Sequence, residues 1–268
     1  MIEFAVRQCY RGKLRAAIFD WAGTTVDYGS RAPAMAFVEL FRRRGIPITM
    51  EQARGPMGLD KRDHVREIAQ GLPGRTFSDA DIEALYREFV PLQIEILPGY
   101  AELIPGTIET VAGLRRRGMK IGTTTGYSRE MMQVLEKEAR RRGFEPDVTI
   151  AADEAPAGRP APWMALRAAM ELGVYPMEAC VKIGDTRADI AEGLNAGMWT
   201  VGVAKTGNEM GLSQQEVAGL DAAALVRRLA AATGRLAEAG AHFVVESVAE
   251  LPEVVERIDR RLEAGERP

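Results

Sequence analysis

The chain has 268 residues, 46% of them hydrophobic and 27% charged, with a formal net charge of −3. This suits a soluble globular protein with a sizeable core, either one large domain or a core with a smaller inserted domain. The mild acidity argues against a sequence-independent grip on nucleic acid, and no apolar stretch is long enough to span a bilayer. Two cysteines, Cys9 and Cys180, can build neither a disulfide framework nor a zinc site. Near the N-terminus Glu3, Arg7 and Arg11 interrupt the apolar residues, leaving no signal-like run. The expected setting is cytoplasmic, with no membrane partner.

In chain order, residues 14–19 form the first apolar run, a buried strand that delivers Asp20 to a chain reversal. Residues 29–104 then follow a different rhythm. Helical patterns run over 33–44, from near 60, and from 78 to about 97, with no convincing strand between them. Turn-prone segments at Tyr28-Gly29, Leu97-Pro98-Gly99 and Pro105-Gly106 fit two crossings to and from this region. Further apolar runs at 119–123, 147–151, 180–183 and 200–203, with another at 242–245, alternate with helical patterns at 108–117, 129–142, 162–172 and 187–196. Several of these helices stop at a glycine, as at Gly118, Gly143, Gly173 and Gly197. Residues 221–239 and 247–264 read as two more helices, and Cys180 as a buried strand residue.

Strand alternating with helix predicts an α/β fold with a doubly wound, mostly parallel sheet. The core takes residues 1–28 and 105–268, and residues 29–104 form an inserted helical cap domain.

Ligands of such a sheet sit outside the carboxyl ends of the strands, so polar residues there converge even when distant in sequence. The first strand ends in Asp20, the second in Thr124 and Thr125 before Gly126 and Tyr127, and the fourth in Gly184-Asp185-Thr186, with Asp189 beyond; Gly158-Arg159-Pro160 follows the third. Asp20 and Asp185 make a hard oxygen site suited to Mg²⁺. Hydroxyls, backbone amides and Arg159 suit the oxygens of a phosphoryl group. Singly, each has a plainer explanation. Asp185 or Asp189 would serve as a helix cap, Arg159 as a surface cation, and the threonines as turn residues. The joint order, one group per strand end, favours the chemistry.

Asp-x-x-Gly-Thr at 20–24, Thr-Gly at 125–126, Arg-Pro at 159–160 and Gly-Asp-x-x-x-Asp at 184–189 together resemble the haloacid dehalogenase superfamily, whose phosphotransferases form an aspartyl-phosphate with Mg²⁺. Most of its phosphatases carry a second aspartate where this chain has Ala22. The stretches around Asp20, Lys61, Tyr127 and Arg159 and the Gly-Ala-His-Phe at 240–243 are similar to the phosphonoacetaldehyde hydrolase, or phosphonatase, family. The resemblance spans residues 17 to about 243.

It implies cleavage of the P–C bond of phosphonoacetaldehyde to acetaldehyde and phosphate during 2-aminoethylphosphonate degradation, by a homodimer. It also implies that a cap lysine forms a Schiff base with the substrate aldehyde, and the matching residue is Lys61. Six of the 35 basic residues are lysines, and Lys61 is the only one between Lys13 and Lys120. Arginine cannot form an imine, so a primary amine here has a chemical reason. Taken without its flanks, Lys61 would read as a solvated helix lysine beside Asp60 and Arg62. Its amine must be neutral to attack a carbonyl, and burial or nearby positive charge would favour that form.

The imine accounts for Ala22. A carbanion leaving group has no bridging oxygen for an acid to protonate, whereas a protonated imine β to phosphorus accepts the electron pair. Asp20 would then be the nucleophile, and Asp20, the Ala22 backbone carbonyl and Asp185 the Mg²⁺ ligands, with Asp189 orienting the site or binding through water. His64, on the helix face of Lys61, reads either as a proton shuttle or as an ordinary, partly exposed histidine. The resemblance places Met57 near the imine, where it could equally be a core methionine. Gly126 and Tyr127 would meet the substrate with Thr125 or Thr124, Trp21 and Tyr127 line the pocket or pack, and His242 is structural. The family's cysteine after Tyr-Gly is Ser30 here, which puts any thiol role in doubt. Two other readings use the same residues: a phosphomonoesterase or phosphomutase of the same superfamily, and a non-catalytic phospho-ligand sensor. Ala22 opposes the first, and the presence of both Asp20 and Asp185 opposes the second.

Overall fold

The chain's structure is a computed structural model that describes residues 9–268. Glu3, Arg7 and the opening of the 1–28 segment lie outside the described residues. Six strands, β1 (Ala16–Phe19), β2 (Lys120–Thr124), β3 (Val148–Ile150), β4 (Cys180–Gly184), β5 (Trp199–Val203) and β6 (Phe243–Val245), form one sheet. All adjacent pairs are parallel, in the order β3-β2-β1-β4-β5-β6. Ala16, Ala17, Ile18 and Phe19 are all buried, as a strand covered on both faces requires.

Eleven α-helices occur among the described residues. They are α1 (Arg31–Arg43), α2 (Met50–Arg54), α3 (Lys61–Gln70), α4 (Asp79–Ile96), α5 (Thr107–Arg116), α6 (Arg129–Arg141), α7 (Trp163–Glu171), α8 (Arg187–Asn195), α9 (Gln214–Ala218), α10 (Ala222–Glu238) and α11 (Leu251–Glu263). The alternation of strands with α5 to α8 is the doubly wound pattern expected from the sequence. The four glycines expected to end helices, Gly118, Gly143, Gly173 and Gly197, have φ between 63° and 92°. In that left-handed region a side chain is strained, so glycine ends each helix cheaply.

The strand order reverses direction between β1 and β4, and there the sheet opens a crevice at its carboxyl edge. Phe19 pairs with Thr123 on one side and Ile183 on the other. This register brings the residues that follow, Asp20, Thr124 and Gly184-Asp185, to the same edge.

Helices α1 to α4 form the helical cap over that edge. Phe37 of α1 stacks on Phe89 of α4 at 4.2 Å and on His64 of α3 at 3.9 Å, between ring centroids. Leu40, Phe41, Val65, Ile82 and Leu85 are buried around this stack. The two crossings run side by side: Val26 bridges to Leu103, Asp27 N donates to Glu102 O and Ile104 N to Thr25 O.

Candidate active site

Asp20 leaves β1 and Asp185 leaves β4, while Asp189 sits on the first turn of α8. These three buried carboxylates each place an oxygen within 4.8 Å of the others. Thr186 caps α8, with Asp189 completing a reciprocal capping box, so Asp185 is not the cap and its oxygens stay at the site. Asp185 accepts from Asn208 N at 2.7 Å and from the Thr24 hydroxyl at 3.4 Å.

Arg159 is a buried ligand of this cluster and not a surface cation. Its Nη1 lies 2.8 Å from Asp20 Oδ1 and 2.9 Å from Asp189 Oδ1, and its Nε donates to Glu192 Oε2 at 2.9 Å. Nη2 donates to the carbonyl and hydroxyl oxygens of Thr124. The Thr124 hydroxyl in turn donates to Glu192 Oε2 at 2.9 Å. That hydroxyl is occupied, whereas Thr125 lines the cavity and its Oγ1 accepts only from Tyr127 N.

Two residues of this network carry no expected role. Lys182, buried in β4, lies 2.7 Å from Asp189 Oδ1 and 3.5 Å from Glu192 Oε2. Glu192 is wholly buried on α8. A lysine inside the apolar run Cys-Val-Lys-Ile-Gly, and an acid three residues after Asp189 on one helix face, were the available signals.

Four buried carboxylates therefore face two buried cations that make direct ion pairs within the cluster, Arg159 and Lys182, with the Lys61 amine farther off across the cavity. The excess of negative charge is felt at the two strand ends. Burial, with Asp189 nearby, lifts Asp20 to about 6 despite Arg159 and Lys182. Burial, then Asp20 and Asp189, hold Asp185 well above the usual carboxylate range. Burial also opposes ionisation of Asp189, but Arg159 and Lys182 outweigh it and its carboxyl is pulled down. A buried oxygen cluster with surplus charge fits a divalent cation, which would restore balance without a proton. Ala22 lines the same cavity as Asp20 and Asp185.

Lys61 is the first residue of α3, where Asp60 caps the helix through Arg62 N and Asp63 N. Its side chain turns inward and is only 4% exposed, so it is not a solvated lysine. Nζ lies 5.0 Å from the Tyr127 ring centroid and 6.0 Å from that of Phe37. Burial lowers its pKa to about 8, against the pull of Asp20, Asp60 and Asp185 and with help from Arg159. Arg62 points elsewhere, to Glu83 and the Tyr86 ring.

His64 is fully buried in the cap core, correcting the picture of a partly exposed histidine. Its Nε2 is 2.9 Å from Ala53 O, an atom that only accepts, so Nε2 carries the proton and Nδ1 keeps its lone pair. Nδ1 has no partner among the described residues, and burial with Lys61 nearby holds the ring's pKa well below the ordinary value. Trp21 packs edge-on against Phe144 at 5.2 Å and lies outside the cavity lining. His242 is structural, accepting from Thr200 N at Nδ1.

The space between cap and carboxylates is lined by Asp20, Ala22, Met57, Lys61, Thr125, Gly126, Tyr127, Arg159 and Asp185, among others. It holds about 20 Å³, room for little more than one water. The cap is thus closed. Glycines permit this fit: a Cβ on Gly126 would lie 2.4 Å from Leu59 O, and one on Gly58 2.3 Å from Thr186 Oγ1. A larger cavity, about 590 Å³, is a separate groove at the cap–core seam that includes Gln52, Pro56, Ile68 and Arg187. It contains none of the clustered carboxylates, and Met57 lines both spaces.

Residues 14–197 match the profile of the haloacid dehalogenase-like hydrolases. The phosphonoacetaldehyde hydrolase of Bacillus cereus (strain AH820) is 50% identical over 259 residues, covering 93% of this chain and 98% of its own. That of Bacillus cytotoxicus is 49% identical over the same shares. The crystal structure of a phosphonoacetaldehyde hydrolase-like protein from Oleispira antarctica superposes with a TM-score of 0.95 at 40% identity, covering 100% of both chains.

Proposed function

Because the chain belongs to the phosphonoacetaldehyde hydrolase family of haloacid dehalogenase-like hydrolases, we propose that it hydrolyses the P–C bond of phosphonoacetaldehyde to acetaldehyde and phosphate. The observation that carries this reading is the juxtaposition of a buried, easily deprotonated amine, Lys61, with a buried carboxylate cluster across one small closed cavity. A phosphomonoesterase has no use for the amine. An acid for an alcohol leaving group would be expected at the position of Ala22.

In this reading the Lys61 amine adds to the aldehyde carbon, and loss of water gives a protonated imine. The Nδ1 lone pair of His64, set by the Ala53 carbonyl, suits it to take and return the protons of this step. Asp20 attacks phosphorus, the P–C bond breaks, and its electron pair moves into the iminium to give an enamine and an aspartyl-phosphate. Water hydrolyses the acyl phosphate. The enamine takes a proton at carbon, and hydrolysis of the resulting imine releases acetaldehyde and regenerates Lys61.

Arg159 fixes Asp20 for attack, and the Thr125 hydroxyl with the backbone amides near Gly126 receives the phosphoryl oxygens. Met57 and Tyr127 shield the imine from water. Mg²⁺, held by Asp20, Asp185 and the Ala22 carbonyl with Asp189 behind them, would supply positive charge for the phosphonate and offset the excess of carboxylates. Residues 29–104 would open as a cap against residues 1–28 and 105–268, since the closed cavity admits no substrate. The paired crossings at Val26 and Leu103 support that division. A cytoplasmic homodimer in 2-aminoethylphosphonate degradation completes the reading. Among the described residues no helix is long and apolar enough to cross a membrane.

The test is release of acetaldehyde and phosphate from phosphonoacetaldehyde, measured together. Lys61→Arg should abolish both. Turnover of sugar phosphates that survives this substitution would favour the phosphomonoesterase instead.

A further inference from the structure

Arg54 ends α2 on the cap and is half-buried, yet none of its side-chain hydrogen bonds stays within the cap helices. Nη1 donates to Gly29 O at 2.8 Å and more weakly to Ser30 O at 3.4 Å, both on the first crossing, and to Asn208 Oδ1 at 3.0 Å. Nη2 donates to Gly211 O at 3.0 Å. Asn208 and Gly211 belong to the loop that follows β5. A guanidinium matches this set because its planar fork serves several acceptors at fixed angles, which an ammonium cannot do.

The loop it grips is part of the carboxylate site. The amide of Asn208 donates to Asp185 Oδ2, so the same residue holds the cap cation through its side chain and the candidate metal ligand through its backbone. Thr206 in this loop accepts from Gly29 N and donates to Gly23 O, tying the crossing to the core. Gly211, at φ +68°, brings its backbone so near that a Cβ would lie 3.1 Å from Arg54 Cζ. All four acceptors are neutral. Among the described residues the guanidinium thus has no ion-pair partner at hydrogen-bonding distance; its hold on the loop is geometric, reinforced at longer range by the negative charge of Asp27 and Asp185.

From Arg54 the chain reaches Lys61 through a short loop that packs on the core at Gly58 and Leu59. Fixing one end of that loop fixes the other. We propose that Arg54 is a positioning residue, a latch that holds the closed cap to the loop bracing Asp185 and so keeps Lys61 over the carboxylates and away from water. Its importance for turnover rests on the reading of Lys61 given above; the latch itself does not.

Acetylation of lysines by N-hydroxysuccinimidyl acetate, without substrate and at one pH, tests it by mass spectrometry. Lys61 should react only when the cap opens, whereas Lys182, buried inside β4, should react only on global unfolding. In Arg54→Met, Lys61 should be labelled about tenfold faster or more. Asn208→Ala should produce a smaller rise, Arg54→Lys should fall between wild type and Arg54→Met, and Lys182 should be unchanged throughout. With phosphonoacetaldehyde, kcat should fall in step with the labelling while KM moves little. Unchanged Lys61 labelling in both Arg54→Met and Asn208→Ala overturns the latch, as does a parallel rise at Lys182. Should Arg54→Met not fold, Asn208→Ala decides alone. If the labelling behaves as expected but Lys61→Arg still produces acetaldehyde, the latch stands and the imine assignment fails.

Discussion

Replacing Lys61 with methionine is expected to stabilise the protein at neutral pH while abolishing turnover. The unfolded amine titrates near 10.5, and burial brings the folded one to about 8. Between these values the unfolded chain binds a proton that the folded chain does not, so wild-type stability rises with pH across that window and is lowest below it. At about 1.4 kcal/mol for each tenfold difference, holding the ammonium in this site costs about 3 kcal/mol. Methionine, unbranched and of similar length, has no charge to desolvate. Urea denaturation in chelator, matching the metal-free site, should place Lys61→Met ahead of wild type by up to about 3 kcal/mol at pH 7. By pH 9.5 the gap should shrink by about 2 kcal/mol as the wild-type amine loses its proton. A gap that stays flat or widens as pH rises would refute the claim that burial depresses this amine.

Other consequences follow from the same geometry. Glu192→Ala removes the acceptor of Arg159 Nε and of the Thr124 hydroxyl in a buried site, and should cost about 1–3 kcal/mol for each donor left unpaired, read by urea denaturation, with Glu192→Gln milder; a loss under about 1 kcal/mol would count against the network. Mg²⁺ affinity, measured by calorimetry, should weaken as pH falls through about 6, because Asp20 then takes a proton that competes with the ion. Equal affinity at pH 5 and pH 8 would contradict the assigned ligands. Thr125→Val should lower kcat by about 10²-fold with little change in stability, whereas Thr124→Val should show mainly as lost stability; the reverse pattern would exchange their roles.

The core was legible because buried parallel strands are short apolar runs, and residues that terminate them must share one edge of the sheet. That rule alone brings Asp20, Thr124, Thr125 and Asp185 to one edge, and it leaves open which threonine faces a phosphoryl group. Most element ends differed by a residue or two, as fraying ends do, but the last helix, expected over 247–264, begins only at Leu251, after a 3₁₀ turn at Val248–Glu250. The helices α2 and α9 were not foreseen, each being a single turn or so. Their signals are capping boxes, Thr49 with Gln52 and Ser213 with Glu216.

Side-chain direction was harder to read. Lys61 lies between Asp60 and Arg62, His64 follows Asp63, and Arg159 sits in a Gly-Arg-Pro turn, settings typical of exposed residues; only the folded chain shows all three turned inward. Lys182 and Glu192 escaped because a charge in an apolar setting usually marks an edge, and only the three-dimensional pairing with Asp189 and Arg159 makes their burial tolerable. Arg54 was hidden among twenty-eight other arginines. Its neutral acceptors come from two distant segments that no local pattern connects.

Borohydride added to the protein with phosphonoacetaldehyde tests the amine most directly. Reduction of the imine should leave a stable adduct on the peptide containing Lys61, with activity lost in proportion and no adduct when substrate is omitted. Phosphate released at full rate with Lys61 unmodified, or an adduct fixed on a different lysine, would contradict the assignment.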